Sequence, residues 1–474
     1  LIVEISVLRV GYNQFAGCGV GVSDIGYIFV HKSVNSVEES VAALNSGVRP
    51  VELFFRWCCE KYKQSGGVSS VLLLNLFGAY DVAERLTHLG SVLDNHSLCE
   101  QIPERLCCGN KTEICEYLGA HGWIYEEGFA GYDQERALIP EDVFAWLQAS
   151  QPEQWEKVVK PELSPGEAEL AKSLLLDRLV RELDQPLEHG GGMLAVLRGG
   201  FRRTPAKFAM CAFRPATSLN PVAQQHYELN RLRVVRQVHH SKKRPQDSID
   251  LVFFVNGLPA ATAELKTDNT QSADDAVLQY RKDRLPQGEP LLKFGARTLV
   301  HFAVSTDEIR MTTKLDGPNT VFLPFNLGND GGAGNPVNPD GAATSYLWER
   351  VLQRDNWLQI IERFINVQTS EKIDPVTGEH KKSTQIIFPR FHQWEAVTEL
   401  LSATRAEGPG HRYLIQHSAG SGKTNSISWL AHGLANLHDD TNTKIFDSVI
   451  VVTDIGPPRL LVRSGRWWLD AVYS

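Results

Sequence analysis

The stretch IDLVFFVNGLPAATAELK, residues 249–266, sets the first constraint on this chain. Two apolar runs flank Asn256-Gly257, a dipeptide suited to the positive φ angles of a tight hairpin turn. With a three-residue loop, Asn256-Gly257-Leu258, Val255 pairs with Pro259 and the same register sets Asp250 opposite Glu264. A loop of two or four residues shifts the register by one and puts Asp250 on the wrong face unless a bulge corrects it. Side chains alternate along a strand, so Glu264 and Lys266 point the same way while Leu265 points to the core. Two carboxylates and an ammonium then converge at the open end of an otherwise apolar hairpin.

That cluster suits metal-assisted phosphodiester hydrolysis. Asp250 and Glu264 supply hard oxygen ligands to Mg²⁺, which keeps several waters and also binds a phosphate oxygen. Lys266 would orient the attacking water or offset charge building on the phosphate. A Glu-x-Lys triplet arises by chance about once or twice in a chain this long. The residues alone therefore also admit a plain surface salt bridge at a hairpin end.

With 474 residues, 42% of them hydrophobic, the chain is long enough for two or three globular domains. Its 48 Lys and Arg against 56 Asp and Glu give a net charge of −8, which argues against a wholesale polyanion coat. A local basic surface is still available in NRLRVVRQVHHSKKR at 230–244, as is the plainer reading of a solvated strand and loop. The longest apolar run, VLLLNLF at 71–77, is too short to span a bilayer. The opening LIVEISVLRVGYN lacks the basic start of a signal peptide and begins without Met. These features point to a soluble cytoplasmic protein with no membrane association, whose first residue is not a natural start.

Cysteines crowd the first quarter, at 18, 58, 59, 99, 107, 108 and 115, with only Cys211 beyond. No pair has the spacing of a zinc knuckle, so free thiols are expected. Residues 1–111 carry no chemical motif and form an unassigned segment. Helical spacing then begins in KTEICEYLGAHGWIYEEG, continues from Pro140 and in ELAKSLLLDRLVREL at 169–183, and returns in QSADDAVLQYRKDR at 271–284, where Tyr280 is able to point back toward the strand ends. Residues 326–345 read as a long loop, YLWERVLQRDNWLQIIERFINV as helix, and EKIDPVTGEHKKS at 371–383 as a polar linker. His226, His239 and His240 have no Cys or His neighbours at ligand spacing.

A second chemical signal lies in QHSAGSGKTNSISWLAHGLANL, from Gln416. Gly420, Ser421, Gly422, Lys423 and Thr424 sit between the apolar RYLIQ and an amphipathic run, the strand-loop-helix context of a phosphate-binding (Walker A) loop. Glycines let backbone N–H groups close on phosphates, the helix N-terminus adds positive potential, Lys423 reaches the terminal phosphates and Thr424 ligates Mg²⁺. ATP is the expected ligand. The apolar DSVIVVTD at 447–454 follows after one helix, the order of a RecA-like parallel α/β unit. Upstream, FPRFHQWEAV at 388–397 offers Phe391 to stack on a base and Gln393 to read an adenine edge, and resembles the Gln motif that superfamily 2 helicases place before their phosphate loop.

In order, ICEYLGAHGWIYEEG, LNRLRVVRQVHHS, DSIDLVFFVNGLPAATAELK, TLVHFAVSTDEIRMTTKL, FPRFHQ, HSAGSGKTNSISWLAH and FDSVIVVTD resemble the restriction (R) subunit of type I restriction-modification enzymes, over roughly residues 112–454. The resemblance implies an α/β protein: a PD-(D/E)xK endonuclease domain at 112–370, with a mixed sheet flanked by helices, a linker at 371–384, and from 385 the start of a helicase-like RecA-like lobe. It implies Mg²⁺-dependent cleavage of double-stranded DNA coupled to ATP-driven translocation, with modification (methyltransferase) and specificity subunits as partners. Asp250, Glu264 and Lys266 would be the catalytic set, joined by Tyr280, and Glu116 or its competitors Glu113 and Glu126 would be an additional helix carboxylate.

The sequence also departs from the family. The Gln that commonly precedes the tyrosine by four residues is Ala276, with Gln279 beside Tyr280 instead. From about 455 the chain reads IGPPRLLVRSGRWWLDAVYS, where Gly456-Pro457-Pro458 would break the expected helix. Neither the carboxylate that positions water for ATP hydrolysis nor the arginines of a second lobe are visible. The expectation is a truncated or frameshifted reading frame that cannot translocate DNA. The alternatives are a stand-alone Mg²⁺ nuclease module and an inactive remnant.

Overall fold

The computed structural model describes residues 2–10, 25–31, 111–215, 217, 219–266, 272–373, 380–417, 421–446, 449 and 451. The chain divides into two compact units, one formed by Pro103–Thr398 with Asp440–Asn442, the other by Leu1–Ile102, Glu399–Asp439 and Thr443–Ser474.

The first unit is built on a six-stranded mixed sheet flanked by helices. Helix α1 spans Lys111–Ala120 and α2 spans Ala273–Lys282. Strands β1 (Leu232–His239), β2 (Ser248–Val255), β3 (Leu258–Lys266), β4 (Val300–Ser305), β5 (Ile309–Thr312) and β6 (Leu323–Pro324) lie in the spatial order β6-β5-β4-β3-β2-β1. Neighbours are antiparallel except β3 and β4, whose parallel pairing requires a crossover. That crossover carries α2, which packs on both strands.

Burial explains why the central hairpin reads as a continuous apolar run. From Ile249 to Val255 on β2 and from Leu258 to Leu265 on β3 every residue is buried, because both faces of the sheet are covered. Val277 and Tyr280 of α2 pack in one core cluster with Val252, Phe254 and Ala303. On the opposite side, Trp123 meets Phe253 edge-on at 5.7 Å and donates its indole N–H to Leu352 O at 2.8 Å.

The turn differs from the expected three-residue loop. Val255 pairs with Leu258 and Phe254 with Pro259, so the loop is the two residues Asn256 (φ 51°) and Gly257 (φ 82°). Two positive φ angles match the right-handed twist of the strands. Phe253 then pairs with Ala261, which leaves Ala260 as a one-residue bulge. The bulge cancels the shift, so Leu251 faces Ala263, and one more step of the same register would set Asp250 opposite Glu264. Gly257 is required twice over, since a Cβ there would lie 2.5 Å from Ile139 O.

Helices form where apolar spacing predicted them. They include Pro140–Ser150, Pro152–Glu156 and Pro165–Leu183, the last opened by a Ser164–Glu167 capping box. The run after Tyr346 is broken into a π-helical turn Leu347–Val351, an α-helix Arg354–Gln359 and a second π-helical turn Ile360–Phe364. Residues 326–345 hold no helix or strand beyond an isolated bridge. Of the polar stretch expected as a linker, residues 371–373 and 380–383 belong to two antiparallel strands, Asn366–Ile373 and His380–Ile387, and residues 374–379 lie outside the described residues. Residues 367–371 are exposed. A strand exposed along residues 367–371 has no apolar alternation to announce it.

In the second unit the strand Arg412–Gln416 is followed by the helix Lys423–Ala435. The strand pairs antiparallel with Ile2–Val10, which pairs in turn with Ile25–His31. Among the described residues this antiparallel pairing stands where a RecA-like unit was expected to pair in parallel. Most of the strand expected at 447–454 lies outside the described residues.

Candidate active site

The hairpin's open end forms one wall of a cleft of about 430 Å³ lined by, among others, Lys111, Gln237, Asp250, Lys266, Gln279 and Arg284. Asp250 is fixed by three donors. Lys111 Nζ reaches its Oδ1 at 2.6 Å, Gln237 Nε2 the same oxygen at 3.1 Å, and the Leu265 backbone N–H donates to Oδ2 at 2.9 Å. The last of these ties the carboxylate directly to the facing strand.

Glu264 is fully buried. Its Oε1 accepts from Arg284 Nε at 2.6 Å, while Oε2 is buried with no hydrogen-bond partner among the described residues. Burial pushes its carboxyl up to about 8, against the opposing pull of Arg284 and with a push from Asp250. Lys266 Nζ donates to Gln279 Oε1 at 2.7 Å, so its ammonium is held at the cleft by α2.

The fit to a divalent cation follows from acceptor capacity. A carboxylate offers about four acceptor sites. Asp250 has three in use and Glu264 one, which leaves open lone pairs on both. Among the described residues no group of three or more His, Cys, Asp or Glu side chains is placed to hold a metal. Mg²⁺ does not need one, because it is commonly held by one or two carboxylates and keeps several waters. The unpaired Glu264 Oε2, an oxygen that is costly to bury alone, is what such an ion would relieve.

Other expected residues are placed differently. Tyr280 is fully buried in the core, its hydroxyl 2.8 Å from Thr262 Oγ1, and does not line the cleft. Its neighbour Gln279 does. Glu113 and Glu116 are exposed on α1 and neither lines the cleft, and Glu126 lies 3.8 Å from Arg233 Nη1. From α1 it is the cation Lys111 that reaches Asp250. Lys111, Gln237 and Arg284 were all missed by sequence reasoning. Only Arg284 had a signal, a basic residue just beyond α2 in the same segment as the tyrosine.

Residues 212–320 match the type I restriction enzyme R protein N terminus. This R-protein match supports a type I R subunit. It contains β1 to β5 and α2, and with them Asp250, Glu264, Lys266, Gln237 and Arg284. Lys111 and the phosphate loop lie outside it. No curated protein matches the chain.

Beyond the R-protein match, Phe391 has no exposed surface. It packs against Tyr346, Phe325 and Trp394 at centroid distances of 5.0, 5.8 and 5.6 Å, and Arg350 lies 5.3 Å from its ring centre. The base-stacking role expected of it does not fit this arrangement. Gln393, also buried, accepts from Arg390 N at 2.9 Å through Oε1 and so caps its own helix. Of the phosphate loop, Gly420 lies outside the described residues. Gly422 takes φ 79° immediately before Lys423 opens the helix, and Lys423 Nζ donates to His417 O at 2.8 Å. Thr424 is exposed in the first turn of the same helix. Among the described residues no helix is long and apolar enough to cross a membrane.

Proposed function

We propose that this chain is a restriction subunit of a type I restriction-modification system, and that its cleft is a PD-(D/E)xK-type site for Mg²⁺-dependent cleavage of double-stranded DNA. One observation carries the reading. A buried glutamate with one oxygen unpaired among the described residues lies two residues from Lys266, on the strand whose Leu265 N–H holds Asp250, inside the segment that matches the R protein.

Asp250 and Glu264 would hold the ion, which when bound supplies Lewis-acid polarisation of a phosphate oxygen and a more acidic water. Within the cleft the protein's own groups divide the remaining work. The Leu265 N–H, Gln237 and Lys111 hold the Asp250 carboxylate in place, and Arg284 orients Glu264 by one oxygen. Lys266, whose ammonium donates to Gln279, would hold the attacking water or offset charge on the phosphate. Water adds to phosphorus, the bond from phosphorus to the leaving sugar oxygen breaks, the water loses a proton and the leaving oxygen gains one.

In the second unit, Gly420, Ser421, Gly422, Lys423 and Thr424 are assigned to ATP, with Thr424 on its Mg²⁺. The strand-loop-helix order and the left-handed Gly422 support that assignment. Modification and specificity subunits are the proposed partners, supplying target recognition. The test is cleavage of plasmid DNA by the full chain. Chelation is expected to stop it and Mg²⁺ to restore it, whereas cleavage that persists in excess chelator would overturn the metal reading.

A further inference from the structure

We infer that Gln237 is a positioning residue for Asp250, held in a strained backbone conformation that aims its amide at the carboxylate. The inference rests on the metal-site reading above and assigns a role to a residue outside the expected catalytic set.

Its neighbours obey the ladder. Arg236 pairs with Leu251 and Val238 with Ile249, a register in which Gln237 would face Asp250. Gln237 instead adopts φ 53°, the left-handed region, and drops out of the pairing. A glutamine in that region inside a strand has no short side chain to bond its own backbone and no turn to form. Such outliers persist where surrounding structure imposes them, and they cluster at functional sites.

What the distortion provides is visible in the contacts. Gln237 Oε1 accepts from Ser248 Oγ at 2.7 Å, and Nε2 donates to Asp250 Oδ1 at 3.1 Å. The carboxylate only accepts, so the amide has one workable orientation and Ser248 enforces it. The Ser248 carbonyl in turn accepts from Arg284 Nη2 at 2.7 Å, and Arg284 Nε donates to Glu264. A continuous chain of contacts, Asp250 to Gln237 to Ser248 to Arg284 to Glu264, thus joins the two proposed ligands from behind. Partners of this kind orient carboxylates for a metal, and losing one typically weakens metal affinity about 10- to 100-fold.

Two substitutions in the full chain separate strain from hydrogen bonding. Gln237→Met keeps length and backbone strain and removes the amide, whereas Gln237→Gly removes both. Mg²⁺ binding is measured by calorimetry in nucleotide-free buffer, and the thermal midpoint is measured in chelator. Both variants are expected to bind Mg²⁺ about tenfold more weakly or worse, while metal-free Gln237→Gly melts no lower than wild type. Wild-type affinity in either variant would overturn the inference, as would a loss of affinity in Gln237→Gly that comes with a lowered metal-free midpoint. If wild type and Glu264→Gln alike bind no Mg²⁺, the metal-site reading itself fails and this inference with it. That result is distinct from a wild type that binds alongside variants that match it.

Discussion

Arg284 donates from Nε to Oε1 of Glu264 at 2.6 Å and leaves Oε2 of the same carboxyl group buried without a partner among the described residues. Burial, opposed by this one-sided contact, sets the charge of the site. Burial outweighs the guanidinium, and the carboxyl rises from its ordinary 4.5 to about 8. At pH 7 in the absence of metal the proton is mostly on.

Two consequences follow for pH. A carboxyl whose folded value is raised binds an extra proton in the folded state between about pH 4.5 and 8. Its contribution to stability is full below 4.5 and is lost as pH rises through about 8. Glu264→Gln should therefore flatten the fall in thermal midpoint between about pH 5 and 8. Mg²⁺ binding at pH 7 should release a proton, seen as a binding heat that changes with buffer ionisation enthalpy, and Glu264→Gln should abolish that dependence.

Arg284→Met removes the only hydrogen bond donor to Glu264 among the described residues, and also the donor to the Ser248 carbonyl. Both members of the pair are buried, so in denaturant melts above about pH 8, where the Glu264 carboxyl is ionised, the loss should cost about 3 kcal/mol. Adding Glu264→Gln to the same chain should recover part of it, because a neutral amide tolerates the missing cation better than a carboxylate does. Simple additivity of the two losses would contradict the coupling.

Tyr280→Phe separates a core role from a catalytic one. The hydroxyl meets Thr262, which also lies 2.8 Å from His301 Nδ1. Removing it is expected to cost about 1 kcal/mol of stability, with the cleavage rate of the folded protein unchanged. A large rate loss without destabilisation would return Tyr280 to the reaction.

Lys423→Ala should abolish binding of a fluorescent ATP analogue to the full chain while leaving nucleotide-free plasmid cleavage as it was. Retained analogue binding would argue against the phosphate loop.

The sheet's centre was legible because its information is local. Asn-Gly between apolar runs announces a hairpin, and the period of two places Glu264 with Lys266. The bulge at Ala260 was not legible, since turn length and bulge cancel and leave the outer register unchanged. Lys111 and Asp250 are 139 positions apart, and no period in the sequence relates α1 to β2. Gln237 looks like any strand residue until its backbone is seen. Phe391 illustrates the converse: an aromatic read as a ligand platform is used by the fold as core.

Cleavage of supercoiled plasmid in Mg²⁺ by the full chain bears most directly on the carboxylate pair, with Asp250→Asn, Glu264→Gln and Lys266→Ala compared with wild type and with Glu116→Gln on the exposed face of α1. Wild type and Glu116→Gln are expected to cut alike, and the variants of Asp250, Glu264 and Lys266 to lose roughly 100-fold or more. Cutting that survives in Asp250→Asn or Glu264→Gln, or a folded wild type that binds Mg²⁺ and cuts nothing, would contradict the assignment.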